Sequence, residues 1–258
     1  GRMQKITVFD RPENWFKLEK PVTQALSHLD LFFMRKDPPF NMQYIHLTYL
    51  LEQAERHGLK IINKPASLRD ANEKLFTSWF SQCCPRTLVS CQMDLLKAFI
   101  HQEKTAVIKP LDGMGGRSVF KAMASDPNLS VILETLTNNG KTLVMAQHFI
   151  DRISEGDKRI LMINGEPVPY ALARIPRKDD FRGNLAAGAT AEGRELSERD
   201  WWICRQVGPT LRDKGLIFVG LDIIGDYLTE INVTSPTCAR ELDKIFGLNI
   251  AAQLLDQL

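Results

Sequence analysis

Hydrophobic and polar positions along this chain recur with two different periods, and the switches between them lay out its elements. Phe218-Val-Gly-Leu-Asp-Ile-Ile224 is an apolar run, Gly225-Asp226 is a strong turn signal, and Tyr227-Leu-Thr-Glu-Ile-Asn232 alternates after it. That pattern predicts a β-hairpin. A second hairpin is expected from residues 159–163 and 168–173 about Asn164-Gly165. Upstream, residues 5–10 read as a strand. Residues 29–35 read as a strand of the buried, parallel-sheet kind, ended by Asp37-Pro-Pro39, and residues 60–63 as a further short strand. Between the last two, Tyr44, Leu47, Leu51 and Ala54 fall on one face of a helix that starts near Asn41 and stops at Gly58. Strand, helix and strand in that order predict an α/β unit.

Pro65 breaks the pattern, and Ser67-Leu-Arg-Asp70 has the form of a capping box opening a helix to about Phe80. Further strands are expected at 87–89, 106–109, 118–121 and 143–146, with helices at 94–102 and 127–136. Residues 176–193 carry glycine, alanine and charge without a usable period and read as a mobile loop. Ser197-Glu-Arg-Asp200 opens a helix that ends at Gly215, with at least one ring of Trp201-Trp202 in the core. The domain division expected is 1–68, 69–150 and 151–258.

Composition narrows the class. The 258 residues suffice for one large domain or two to three small ones. Hydrophobic content of 44% and charged content of 25% are those of a soluble globular protein. Thirty-three Lys and Arg against 31 Asp and Glu leave a net charge of +2, which makes no case for nucleic acid or a membrane surface as partner. No apolar run approaches a membrane span, and no charged-then-apolar leader opens the chain. Five cysteines (83, 84, 91, 204, 238), with no C-x-x-C spacing, indicate neither a disulfide framework nor a zinc site. They read as reduced thiols of a cytoplasmic protein, without a chemical role. The five histidines show no metal-ligand spacing.

The candidate chemistry lies in a few short stretches. Asp222, Glu230 and Asn232 interrupt strands otherwise built of Val, Leu and Ile. Two carboxylates and an amide oxygen suit a hard cation such as Mg2+, with Mn2+ as a substitute; the alternative is a half-buried hairpin whose polar residues face water. A regular hairpin with a two-residue turn pairs Asp222 with Thr229 and points Asp222 and Glu230 to opposite faces, so a shared cation demands a three-residue turn or a bulge. Val107-Ile-Lys-Pro-Leu-Asp-Gly-Met-Gly-Gly116 is a strand leading into a glycine loop. Its backbone N–H groups could wrap an anion, with Lys109 adding a point charge. It matches neither a Walker A sequence nor a dinucleotide fingerprint, and a flap between antiparallel strands fits it better. Lys74 reads by spacing as a solvated helix lysine. Residues 145–150 read as a strand end or as a linker whose backbone meets an adenine edge. Asp157-Lys-Arg159 would be an ordinary charged turn in most proteins. Arg174, Arg177, Arg182 and Arg194 surround the loop and suit carboxylate or phosphate capture.

Taken in order, these pieces resemble the ATP-grasp ligases and, at closer range, the bacterial glutathione synthetases. The resemblance rests on Met34-Arg-Lys-Asp-Pro-Pro-Phe40, Asn63-Lys-Pro, Ser67-Leu-Arg-Asp70, Asn72-Glu-Lys-Leu-Phe76 and Lys109-Pro-Leu-Asp-Gly-Met-Gly-Gly116. It continues through Gly156-Asp-Lys-Arg159, Arg182-Gly-Asn-Leu-Ala-Ala-Gly188, Gly220-Leu-Asp-Ile-Ile-Gly-Asp226 and Leu228-Thr-Glu-Ile-Asn-Val-Thr-Ser-Pro-Thr237. It covers nearly the whole chain from about Leu31 onward. It implies an α/β ATP-grasp fold preceded by the remainder of a pre-ATP-grasp domain, and ATP-dependent joining of γ-glutamylcysteine to glycine through an acyl phosphate. By the same resemblance Lys74 and Lys109 hold ATP phosphates under the loop of Gly113, Gly115 and Gly116. Gln147, His148, Phe149 and Ile150 read adenine, and Asp157 holds the ribose. Asp222, Glu230 and Asn232 carry Mg2+, while Arg159, Arg174, Arg182, Asn232 and Ser235 face the peptide, Arg159 and Arg174 as catalytic cations. A homo-oligomer is implied too.

Two departures stand out. Family members begin with a further strand-helix-strand unit, and Ala189-Thr-Ala-Glu-Gly193 replaces a more glycine-rich run. The rival readings are another ATP-grasp carboxylate–amine ligase, or a nucleotide-binding regulatory protein without turnover. Both lysines, all three metal ligands and the arginines speak against the second.

Overall fold

The computed structural model describes residues 1–177, 180, 182–183 and 188–258. The chain opens on two small ribbons: β1 (Arg2–Met3) and β4 (Val22–Thr23) form one, β2 (Ile6–Val8) and β3 (Phe16–Leu18) the other. The strand expected at 5–10 is present but shorter, and its ribbon leaves Ile6, Val8, Trp15, Phe16 and Leu18 exposed. Next, β5 (Leu31–Phe33) and β6 (Lys60–Ile62) pair in parallel across α1 (Met42–Arg56), as the periodicity predicts. Asn41 caps this helix by accepting from the Tyr44 N–H at 3.1 Å, and Tyr44 and Leu51 face the core.

The single helix expected over 67–80 is broken. Helix α2 (Pro65–Asp70) stops early and a 3₁₀ stretch begins only at Leu75. Ser67 does not cap: its hydroxyl donates to the Lys214 carbonyl at 2.5 Å. Within the gap, the Asn72 side-chain oxygen accepts from the N–H groups of Lys74 and Leu75, and the Glu73 carbonyl accepts from the Ile231 N–H at 2.9 Å. Local and long-range bonds together thus replace the helical ladder, and Lys74 comes out buried rather than solvated.

A four-stranded antiparallel sheet follows, from β7 (Thr87–Ser90), β8 (Thr105–Pro110), β9 (Phe120–Met123) and β10 (Val144–His148) in the order β7-β10-β8-β9. Helices α3 (Met93–Glu103) and α4 (Leu129–Leu136) pack Leu96, Ile100 and Leu133 onto its Ile108, Val144 and Ala146. The glycine loop joins β8 to β9, an antiparallel pair, as the flap reading requires.

The last sheet is antiparallel and five-stranded. Its strands β11 (Asp157–Ile163), β12 (Glu166–Ile175), β13 (Thr190–Glu195), β14 (Phe218–Ile224) and β15 (Tyr227–Asn232) lie in the order β13-β12-β11-β14-β15. Strand β13 corrects the expectation of loop through Gly193, since Thr190 pairs with Ile175 and Gly193 with Leu172. With Ala191 its one apolar residue, this edge strand shows no hydrophobic alternation. The rest of the expected loop falls partly on residues 178, 179, 181 and 184–187, which lie outside the described residues. Along β11, Ile160 and Met162 face α5 (Glu198–Asp213), while Leu161 and Ile163 face α6 (Ala239–Phe246) and α7 (Ile250–Leu255). The sheet is therefore covered on both faces. Ser197 and Asp200 form the capping box predicted for α5. Trp201 and Trp202 are both half-buried, so neither ring is fully core; Trp202 packs against the core with Arg199 stacked on it at 4.1 Å.

Candidate active site

Strand β14 meets β15 with a shift in register. Ile224 pairs with Tyr227 and Ile223 with Leu228, but Asp222 pairs with Glu230. The turn is the two-residue Gly225-Asp226, and Thr229 is the extra residue of a bulge. This is one of the two irregularities that a shared cation demands. The bulged residue is not idle: its carbonyl accepts from Lys109 Nζ at 3.1 Å, and its hydroxyl donates to the Asp222 carbonyl at 3.1 Å.

Strand β11 lies on the other side of β14 and pairs Arg159 with Asp222. The guanidinium takes the carboxylate in fork geometry, Nε to Oδ1 at 2.5 Å and Nη2 to Oδ2 at 3.0 Å, with both groups buried. Arg174, from β12, reaches Asp222 Oδ1 at 3.0 Å and Asp157 Oδ2 at 2.5 Å. Burial alone would raise the Asp222 pKa, but the two arginines hold it well below the usual carboxylate range. For Asp157 burial prevails over Arg174 and pushes the carboxyl up to about 6. Lys74 donates to Glu230 Oε1 and to the Gly113 carbonyl, both at 2.6 Å. Burial opposes its charge, yet Glu230 outweighs this and the net shift is upward. Lys109, fully enclosed, is pushed down to about 8 by burial.

Two clefts meet here. One, of about 910 Å³, is lined by Lys74, Lys109, the glycine loop, residues 147–150, Asp157, Arg182, Asp222 and Glu230. The other, of about 880 Å³, is lined by Arg159, Arg174, Glu230, Asn232 and Ser235. Glu230, Met114 and Gly115 belong to both. Every site residue that the resemblance implies lines one cleft or the other; of the four arginines read as candidates for anion capture, Arg177 and Arg194 line neither, and Arg194 pairs with Glu192. Arg182, expected to face the peptide, lines the first cleft and pairs with Asp180. The N–H groups of His148 and Phe149 donate to the carbonyls of Arg86 and Thr105, so neither is open to a base edge.

Spacing gave no hint of Glu73, Asp37, Pro38, Thr234, Thr237 or Cys238, which also line the second cleft. Their cue is three-dimensional: Ser235 hydrogen-bonds Asp37 and Arg35 donates to the Pro236 carbonyl at 2.9 Å, so the first unit closes over the end of β15. Cys238 is buried at this wall, and all five thiols are free.

The donor set fits a nucleotide and a hard cation. Asp157 Oδ1 is buried without a hydrogen-bond partner among the described residues, and a ribose hydroxyl would supply the missing donor. Asn232 gives its amide N–H to the Gly220 carbonyl at 3.2 Å, which leaves its oxygen for a ligand. Among the described residues no three His, Cys, Asp or Glu side chains cluster as a metal site; the set here is two carboxylates and an amide. No helix among the described residues is long and apolar enough to cross a membrane.

Known proteins carry the same plan. The family model for the prokaryotic glutathione synthetase ATP-grasp domain matches residues 73–247, and that for the N-terminal domain of the same enzymes matches residues 1–69. Glutathione synthetase of Coxiella burnetii is 61% identical over 99% of this chain and 79% of its own length. That of Pseudomonas syringae pv. tomato is 58% identical over the whole chain and 81% of its own. Among solved structures, D-cycloserine synthetase superposes with a TM-score of 0.71 at 15% identity, over 91% of this chain and 86% of that one, a likeness of fold. With the two domain models together matching residues 1–69 and 73–247, and relatives 61% and 58% identical over nearly the whole chain, the chain belongs to the prokaryotic glutathione synthetase family.

Proposed function

We propose that this chain is an ATP-dependent ligase that joins γ-glutamylcysteine to glycine through an acyl phosphate. The observation that carries the reading is the meeting of the two clefts at Glu230 and Gly115, which would bring a polyphosphate on one side against a carboxylate on the other. ATP would lie in the first cleft, its phosphates on Lys74 and Lys109 beneath Gly113, Gly115 and Gly116, its ribose on Asp157 and its adenine beside residues 147–150. Asp222, Glu230 and Asn232 would hold Mg2+, or Mn2+ in its place, which neutralises charge on the phosphates when bound. The dipeptide would lie against Arg159, Arg174, Asn232 and Ser235. Its cysteinyl carboxylate takes the γ-phosphoryl group, the amine of glycine attacks the resulting carbonyl, and phosphate leaves.

Arg159 and Arg174 are the fixed cations nearest that carbonyl in this reading, and they are already oriented by Asp222 and Asp157. Arg182, across from the phosphates, would help exclude water from the acyl phosphate. The division into a pre-ATP-grasp unit (1–68), a central unit with the flap (69–150) and a C-terminal unit (151–258) follows the three groups of strands. The free thiols fit a cytoplasmic enzyme. The family resemblance supports assembly with further copies of the chain; light scattering would reveal a mass that is a multiple of one chain. The decisive experiment is a product assay. ATP, γ-glutamylcysteine and glycine should yield ADP, phosphate and tripeptide, and ADP without tripeptide would refute the proposal.

A tight contact yields one prediction for this site. A Cβ on Gly220 would lie 2.8 Å from Arg159 Cδ and 3.0 Å from Pro236 Cβ. Gly220→Ala therefore has to move a side chain pinned by its fork on Asp222, and small misplacements of such a group are expensive. Turnover should fall roughly ten-fold or more. The circular-dichroism spectrum should stay that of the parent, and kcat measured beside it checks the prediction.

A further inference from the structure

Lys74 is flanked by two residues that the ligase reading leaves without a task. Glu73 turns its carboxylate toward the end of β15. Its Oε1 accepts from the Val233 N–H at 2.9 Å, the Thr234 N–H at 3.0 Å and the Thr234 hydroxyl at 2.9 Å. Its carbonyl accepts from the Ile231 N–H at 2.9 Å. These four bonds bracket Asn232 and end one residue before Ser235, and all three of Glu73, Asn232 and Ser235 line the second cleft. Strand β15 stops at Asn232, so the N–H groups of Val233 and Thr234 have left the ladder. A carboxylate in a fixed place supplies what the sheet no longer does, with bonds stronger than neutral ones. On the other flank Asn72 donates to the Leu111 carbonyl at 3.0 Å, at the root of the glycine loop.

We propose that Glu73 is a positioning residue for the acid substrate, setting the Val233–Thr234 turn that presents Asn232 and Ser235, while Asn72 does the same for the glycine loop. The inference rests on the ligase reading above. One short segment thereby registers both halves of the reaction: Asn72 the nucleotide side, Lys74 the junction and Glu73 the acid side.

The test is steady-state kinetics with ATP, γ-glutamylcysteine and glycine. Glu73→Ala should raise the KM for the dipeptide roughly 10- to 100-fold, the range expected when charged hydrogen bonds are lost. The KM for ATP should stay within about two-fold, well below that range. Glu73→Gln keeps an oxygen that can accept the same donors and should restore most of the loss. Asn72→Ala should show the reverse split, with the ATP constant raised and the dipeptide constant held. If Glu73→Ala lowers the melting temperature or the active fraction but leaves both constants unchanged, Glu73 is structural only and the proposal fails. It fails equally if Gln is as damaging as Ala, because acceptor geometry would then not be the cause. Should Glu73→Ala not fold, Thr234→Val removes one of the three donors; an unchanged dipeptide constant there overturns the proposal too. A parent enzyme that makes no tripeptide refutes the ligase reading itself, a result distinct from all of these.

Discussion

Replacing Arg159 with alanine should lower kcat roughly 100- to 1,000-fold, as loss of one oxyanion donor does elsewhere, a loss of about 3–4 kcal/mol in the transition state. The guanidinium lies at the wall of the second cleft, buried, in register with Asp222 and gripped through two of its nitrogens. A group held so firmly needs no reorganisation when charge appears on the reacting carbonyl, and that is the condition under which a cation acts mainly on the transition state. The same grip gives the mutation a second effect. Asp222 would keep only the Arg174 contact at 3.0 Å, and removing one partner of a buried pair destabilises strongly. Melting curves therefore accompany the kinetics. Lysine should rescue little, since it cannot reproduce the fork. ATP affinity should barely change. A raised KM for the dipeptide at unchanged kcat would make Arg159 an anchor rather than a catalytic group.

Lys74→Ala and Lys109→Ala should each weaken ATP binding roughly 10- to 100-fold, corresponding to the loss of a charge-assisted hydrogen bond in an enclosed site. The two lysines stand on different elements and hold different anchors, Lys74 on Glu230 and Gly113, Lys109 on the Thr229 carbonyl. Their consequences should differ accordingly. Loss of Lys74 also breaks its ion pair with Glu230, which lines both clefts, so the Michaelis constant for the dipeptide should rise with that for ATP. Loss of Lys109 should act on ATP alone. Calorimetric titration with ATP would decide it, and unchanged affinity in both variants would sink the nucleotide assignment.

Much of this was legible in the sequence wherever local physics decides the outcome. The hairpin of Asp222 and Glu230 announces itself through Gly225-Asp226 and the alternation beside it, and a cation shared by the two carboxylates demands an irregularity, which the structure places at Thr229. Helix α1 likewise follows from its apolar stripe and Asn41. What stayed hidden depends on partners distant in sequence. No periodicity shows that residues 71–74 leave the helix, because the Ile231 N–H that helps to stop it lies about 160 positions away, as do the donors to Glu73. For the same reason Lys74 reads as solvated by spacing and as a phosphate ligand only by resemblance. Strand β13 escaped because polar residues at a sheet edge carry no apolar signal, and helices α6 and α7 because six- and eight-residue segments are too short for a clear period.

The bulge at Thr229 has a bearing on deletions. A hairpin with the same two-residue turn and no Thr229 would still set Asp222 opposite Glu230, since Ile224–Tyr227 and Ile223–Leu228 would run directly into that pair. The additional residue is thus superfluous to the carboxylates. What it contributes is a carbonyl turned outward to Lys109, a bridge from the last sheet to the end of β8 in the sheet that carries the flap. Removing Thr229 would excise the tie to Lys109 and still leave Asp222 opposite Glu230.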